Sequence, residues 1–517
     1  MQGDPGASLV GRDLVGRETE LAELEGFLEE PGPGLARVVG PRGTGKTALV
    51  TRALRGHRAV HFQALPLTSR ELLGDLEATI RASLGEVPAP RRPGLLPLTT
   101  PEARWEALLA GLVDRALEEP GLVLILDGAE TVLGAGRRWA SVLAEALARA
   151  RERRAGLKVI LVGRSNEGVL PGGEAPLPDL DVSLGSLPYR AAGWAQGART
   201  PDEAFLFWAV FGDGPGNLPK EEWRQERGAG VVPGSRPGSD GPGPPVSGGD
   251  EGDPLAVLEE PAVSRILDPA GDLFDAPLRL VDPAFRRPAR YLAILRTLAQ
   301  GPLEWSRILA GTPGVSTGGQ LAPYLKKLEE EGLVISERPL DAEEGSRNRR
   351  YLLSDPFLAF WFGKVLPNRS LLTTLGPVRV WRNRIRPGLE EHMERWLARG
   401  ARLWLRFHGR EALPARARSV GGLWAGEADF DPVAWLENGQ VCYGLTRWDR
   451  GPLAGDDLPR AMTARMKATR YGIGREARAP LYFLPWGGGE AVRRDVAREP
   501  LARVLTLEDL MGPEPPG

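Results

Sequence analysis

The chain has 517 residues, of which 42% are apolar and 26% charged, and its formal net charge is −2. That length exceeds what one hydrophobic core usually supports, so about three domains are expected, and the near balance of charge excludes a global basic field that would draw in nucleic acid. One cysteine, Cys442, excludes an internal disulfide framework, and no apolar run approaches the ~20 residues of a membrane helix.

The N-terminus, Met1-Gln2-Gly3-Asp4, has neither a basic region nor an apolar stretch, so the expected compartment is the cytoplasm, with no membrane partner. Residues 14–170 alternate short β-branched runs with long helical patterns, the sequence form of an α/β domain with a parallel sheet. Leu35 to Val39, Gly121 to Asp127 and Leu157 to Val162 read as buried strands, while Glu102 to Glu118 and Trp139 to Arg154 read as helices. The arginines of the second helix read as a solvated face.

From Glu221 to Pro254 the composition collapses into Gly, Pro, Ser and acids, too poor in apolar groups to offset chain entropy, and a disordered linker is expected. Beyond it, Ala289 to Ala299, Glu304 to Leu309 and Gly319 to Glu331 read as helices. Two strands follow, at Leu333 to Ile335 and Arg349 to Leu353, around a charged turn from Asp341 to Asn348. Three helices and a hairpin describe a winged helix. The final stretch opens on a helix containing Glu394 and Trp396. It continues with strands near Val433 to Trp435, Val441 to Leu445 and Leu481 to Leu484, a second α/β pattern in which Cys442 is a small apolar strand residue. The expected boundaries are 1–220 for a P-loop domain with a helical lid, 221–260 for the linker, 261–370 for the winged helix and 371–517 for the last domain.

The chemistry is concentrated early. Gly40-Pro41-Arg42-Gly43-Thr44-Gly45-Lys46-Thr47 fits the pattern G-x-x-x-x-G-K-[ST] at every fixed position, between a strand and a helix that runs on from Ala48. Backbone N–H groups from Gly40 to Ala48 are therefore expected to converge on the phosphates of ATP, with Lys46 against the β and γ groups and the Thr47 hydroxyl on Mg²⁺. A strand ending in an acid should lie beside the P-loop, and Leu122 to Leu126 followed by Asp127 supplies it, with Asp127 on the Mg²⁺ side. Many hydrolysing P-loop proteins carry a glutamate next, but here that position is Gly128. Glu130 could polarise water only if the chain turns back, and otherwise it is a solvated loop acid. The third strand ends in Gly163-Arg164-Ser165-Asn166, and Arg164, Ser165 or Asn166 could sense the γ-phosphate.

These residues resemble the archaeal-type ATPase family, in the STAND branch of AAA+-related P-loop proteins, and in particular members with a C-terminal domain of uncharacterised function. Val15-Gly16-Arg17-Glu18 with Glu20-Leu21 is similar to the family's G-R-E-x-E-L box, which implies a place by the adenine. Ser186-Leu187-Pro188-Tyr189, the turn Phe211-Gly212-Asp213-Gly214-Pro215 and above all Tyr351 to Ser370 resemble further family elements. The resemblance implies a restriction-endonuclease-like C-terminal fold with Glu394 and Asp429-Phe430-Asp431 as candidate acids. It also exposes a departure, since Leu445 and Arg447 stand where the family pattern resembles E-C-K-W, so DNA cleavage is not expected.

Gln320, Lys326 and Lys327 on the third winged-helix segment, with Arg347, Arg349 and Arg350 on the wing, are the candidates for DNA contact. Glu329, Glu330 and Glu331 blunt that field, and an intramolecular relay is the other reading. Trp424, Trp435 and Trp448 read as core residues or as platforms for bases. The leading expectation is a nucleotide-operated switch with slow or absent hydrolysis, acting on a protein or DNA partner. The alternatives are a DNA-directed ATP-dependent enzyme and a non-hydrolysing scaffold.

Overall fold

The structure is a computed structural model that describes residues 16–85, 100–136, 138–164, 177–219, 252–281, 285, 288–343, 345–425, 428–448, 457–467, 478–499 and 501–513. Most of the expected linker, together with Val15, lies outside the described residues. The chain divides into two compact units, Met1–Leu187 and Pro188–Gly517.

In the first unit, α1 (Glu18–Glu29) precedes β1 (Gly34–Val39), α2 (Lys46–Ala53), β2 (Ala59–Gln63), α3 (Ser69–Leu84) and α4 (Pro101–Glu118). Then come β3 (Leu122–Asp127), α5 (Ala129–Gly134), α6 (Trp139–Arg153), β4 (Leu157–Gly163) and β5 (Leu180–Ser183). Local chemistry sets the helix starts. Thr68 and Glu71 form a capping box on α3, and Thr100 caps α4 with Pro101 in its first turn.

The strands form one parallel sheet in the order β2-β3-β4-β1-β5. Side chains alternate between two cores. Leu122, Leu124 and Leu126 of β3 and Leu157, Val159 and Leu161 of β4 pack on one face with α3, α4 and α6, whereas Val123, Ile125, Ile160 and Val162 pack on the other with α1 and α2. A sheet covered on both faces needs continuous apolar strands, and β3 and β4 have them. The acid-bearing strand is one place removed from where the sequence reading put it, because β4 lies between β3 and β1. The connections from β1 through β2 and β3 to β4 are helical crossovers, and the parallel strands still bring their carboxyl ends to one edge.

The second unit opens with the helices Tyr189–Ala195 and Pro201–Phe211, the segment expected as a lid. Every residue from Ala204 to Phe211 is buried, and the second helix packs on the helices Pro356–Phe360, Leu389–Phe407 and Leu507–Met511. A helix apolar on all sides must be enclosed, and within this unit it is.

Farther on, the helices Pro288–Leu298, Trp305–Gly311 and Gly318–Glu330 accompany a three-stranded antiparallel sheet, β6 (Leu303–Glu304), β8 (Arg350–Leu353) and β7 (Val334–Glu337) in spatial order. After the 19-residue helix Leu389–Phe407 comes a mixed sheet in the order β13-β12-β11-β10-β9, built from Ala417–Ala425, Ala428–Leu436, Val441–Thr446, Arg478–Phe483 and Arg503–Leu505 in chain order. Among the described residues no helix is long and apolar enough to cross a membrane.

Candidate functional site: a phosphate-binding loop

β1, between β4 and the edge strand β5, delivers the chain to Gly40, and α2 leaves from Gly45, so the loop from Gly40 to Ala48 sits at a strand's carboxyl end and a helix's N-terminus at once. Gly43 and Gly45 take φ of +84° and +85°. A Cβ on Gly40 would stand 2.1 Å from the Leu184 carbonyl oxygen, a clash that no L side chain avoids. Pro41, Gly45 and Ala48 are half-buried, Arg42 and Gly43 are exposed, and the buried Thr44 donates its hydroxyl to the Pro41 carbonyl at 2.9 Å, tightening the turn.

Lys46 Nζ donates to the carbonyls of Gly40 and Pro41 at 2.8 and 2.7 Å. Burial lowers the Lys46 amine from its ordinary value, the Asp127 and Glu130 charges offset part of this, and Arg164 and Arg42 add to the lowering. Thr47 Oγ1 donates to Asp127 Oδ2 at 2.7 Å, although 80 positions separate the two residues. Burial would raise the Asp127 carboxyl. Hydrogen bonding from His61 and Thr47, with the His61 and Lys46 charges, outweighs that and holds it below the usual carboxylate range.

His61, with Nε2 3.7 Å from Asp127 Oδ2, is a site residue that the sequence reading missed. Its strand, β2, pairs with β3 in register, Phe62 against Leu126 and Gln63 against Asp127. A histidine alternating with apolar residues in a short strand was the available signal.

After Asp127 the chain turns at Gly128, φ +81°, whose N–H donates to the Val162 carbonyl at 2.9 Å and which starts α5. That left-handed residue occupies the position where a hydrolytic glutamate would sit, and the turn carries Glu130 into the first turn of α5. Arg164, at the tip of β4, brings Nε to 3.8 Å from Glu130 Oε1, while Glu130 Oε2 is buried without a hydrogen-bond partner among the described residues. Lys46, Asp127, Glu130 and Arg164 therefore share one site, whereas Ser165 and Asn166 lie outside the described residues. Arg17 of the G-R-E box is buried, pairs with Glu20 at 3.0 Å and donates to the Gly185 carbonyl. Leu184, the preceding residue, is the one whose N–H bonds Val39 O at 2.7 Å.

Residues 13–162 match the family model described as AAA ATPase domain. That match places the first unit among the AAA+-related P-loop ATPases. Solved structures similar to the chain include the Walker-type ATPase of Pyrococcus abyssi, at 21% identity and TM-score 0.40 over 68% of this chain and 96% of that one. Drosophila ORC bound to DNA is similar at 15% and 0.30 over 70% and 93%, and Cdc6p from Pyrobaculum aerophilum at 14% and 0.29 over 72% and 96%. Overlaps this low assign neither ligand nor partner. No curated protein gives a significant match.

The AAA-type domain binds nucleotide, and its residues fit ATP with Mg²⁺. The left-handed Gly43 and Gly45 give the tight turn that a phosphate cradle needs, and the Thr47 hydroxyl with the Asp127 carboxylate offers the oxygen pair a hard cation accepts. When bound, Mg²⁺ would neutralise phosphate charge.

The second unit treats its candidate residues differently. Arg402 clamps the Asp431 carboxylate through Nε and, at 2.6 Å, Nη2. Glu394 is exposed, Leu445 is buried in the core, Arg447 is exposed, and the side chain of Asp429 lies outside the described residues. No group of three metal-ligating side chains occurs among the described residues.

Gln320 turns its amide oxygen to the Ser316 N–H at 3.1 Å, and Lys327 pairs with Glu331 at 2.8 Å while Lys326 lies 3.9 Å from Glu330. On the wing, Arg347 is exposed, Arg349 and Arg350 are half-buried, and Arg350 lies 4.6 Å over the Trp424 ring. Trp424 and Trp448 are buried and Trp435 is half-buried. Two stretches that carry the resemblance also meet here. Asp355, from Tyr351 to Ser370, caps its own helix and hydrogen-bonds Asp213 of the Phe211 to Pro215 turn, and burial raises its carboxyl.

Proposed function

We propose that the chain is an ATP- and Mg²⁺-dependent regulatory ATPase of the STAND type, a nucleotide-operated switch with slow or absent hydrolysis. The observation that carries this reading is the conjunction at the end of β3: the acid that completes the Mg²⁺ site is in place on Thr47, but the residue after it is a left-handed glycine. Binding is thereby provided for while the group that would activate water is displaced to Glu130, which faces Arg164. In this reading Lys46 and Asp127 hold nucleotide and metal, Arg164 reports on the γ-phosphate, and Glu130 supplies whatever turnover there is. Differential affinity for ATP and ADP in two states of the domain is then what shifts the switch.

Within the second unit, the helices and three-stranded sheet of residues 288–353 are read as a winged helix, and residues 389–511 as a nuclease-like domain that has lost its chemistry. The Arg402 clamp on Asp431 supports the loss, since a guanidinium occupies the carboxylate a metal would need. The paired state of Lys327 and Gln320 favours the intramolecular relay over DNA contact, and a protein partner over a nucleic acid.

Single-turnover assays of ADP release test the reading, comparing the natural protein with Glu130→Ala. Slow release that Glu130→Ala abolishes supports a timed switch; no release in either protein leaves the non-hydrolysing scaffold.

A further inference from the structure

The second unit contains a cavity of about 490 Å³ that none of the preceding functions uses. One wall is the helix Leu389–Phe407, and the other is the three-stranded sheet with the helix ends around it. That volume falls in the range of small-molecule sites, about 300–1,000 Å³. Its lining is divided. Leu303, Leu352 and Trp396 give it an apolar side, and five arginines against three carboxylates give it a cationic one.

The arginines are not all neutralised by their neighbours. Helical spacing i, i+4, i+7 puts Arg395, Arg399 and Arg402 on one face of the helix. Arg402 is used up, clamped between Asp431 and Glu337. Arg399 gives only Nη1 to Glu337, at 2.8 Å, makes no other hydrogen bond among the described residues, and is 27% exposed where it lines the cavity. Arg395 is fixed by the Ala299 carbonyl at 3.1 Å and by Glu391 at 3.2 Å. Arg307, from the helix Trp305–Gly311, is an exposed cation at the rim with no ion-pair partner among the described residues.

We infer that this cavity is a binding site for a small organic phosphate with a flat apolar body, held by Arg399 and Arg307 at its anionic end and by the Leu352 and Trp396 side at the other. A planar guanidinium with a free edge matches a phosphate's paired oxygens, and a charge-assisted bond in a half-buried cleft is stronger than one in open water. Burial lowers Arg399, the Glu337, Asp431 and Asp213 charges offset part of this, and Arg402 adds to the lowering. Because one wall belongs to the sheet of residues 303–353 and the other to the long helix, a ligand here ties these two parts of the unit together. The site is independent of the P-loop.

The test is calorimetric titration of the full chain with 1-naphthyl phosphate, in the natural protein and in Arg399→Gln, Arg307→Gln and Lys46→Ala. One site is expected, weakened about tenfold by each arginine substitution and unchanged by Lys46→Ala. Arg307→Gln alters only an exposed rim residue, so it keeps the test valid if Arg399→Gln fails to fold. No binding to the natural protein, or an affinity in both arginine variants equal to that of the natural protein, overturns the assignment. Loss in Lys46→Ala overturns it too, by moving the probe to the P-loop. Displacement by a DNA duplex at lower concentration than by AMP would give the arginines to nucleic acid instead.

Discussion

Thr47 and Asp127 meet across 80 positions with a single hydrogen bond, and the proposed Mg²⁺-nucleotide site draws on both oxygens. Asp127→Asn keeps the shape and removes the charge; we expect ATP affinity measured with Mg²⁺ to fall about tenfold while affinity measured in EDTA changes little. His61 acts on the same carboxylate from the neighbouring strand, so His61→Ala is expected to weaken Mg²⁺-dependent binding less than Asp127→Asn does, in the same titration. Glu337 is the residue on which the second unit's charge balance turns. Burial alone would raise it, but the Arg402 and Arg399 charges and hydrogen bonds hold it below the usual carboxylate range. A depressed acid stabilises the fold above its unfolded value and loses that contribution as the pH falls through its folded one. Glu337→Gln should therefore cost about 3 kcal/mol in urea unfolding at neutral pH, a gap that narrows as the pH drops below the ordinary carboxylate range.

At the scale of the element, the turn from β3 into α5 carries the proposed difference from a hydrolytic site. Restoring a glutamate by Gly128→Glu would force an L residue to φ +81°, at a cost of about 1–2 kcal/mol. The expected outcome is lower stability without faster ADP release; a clear gain in turnover would mean that the turn adapts. The strands also show what a sequence makes legible. The central strands β1, β3, β4, β10, β11 and β12 read correctly because they are buried on both sides and present continuous apolar runs. In the two five-stranded sheets, the four that were missed, β2, β5, β9 and β13, are the edges. An edge strand is half solvated, so Ala59–Gln63 and Leu180–Ser183 carry His61, Gln63, Asp181 and Ser183 among their apolar residues and lack that run. His61 went unnoticed for the same reason, since its role exists only once β2 is placed beside β3.

On the scale of the whole molecule, contiguous chemistry was readable and dispersed chemistry was not. The phosphate loop is eight consecutive residues at fixed spacing, and its partner acid ends an apolar strand, so both could be found without coordinates. The clamp of Arg402 on Asp431, and the cavity beside it, join a helix to strands of two different sheets, and no local pattern announces them. The helices from Tyr189 to Phe211 follow the P-loop sheet in sequence but pack within the second unit, which sequence adjacency could not show. The measurement that bears most directly on the account is equilibrium ATP binding with Mg²⁺ by the natural protein and by Lys46→Ala. The account predicts saturable binding that falls at least about tenfold in the variant, whose fold is unchanged by circular dichroism. Equal affinity in the two proteins would contradict it.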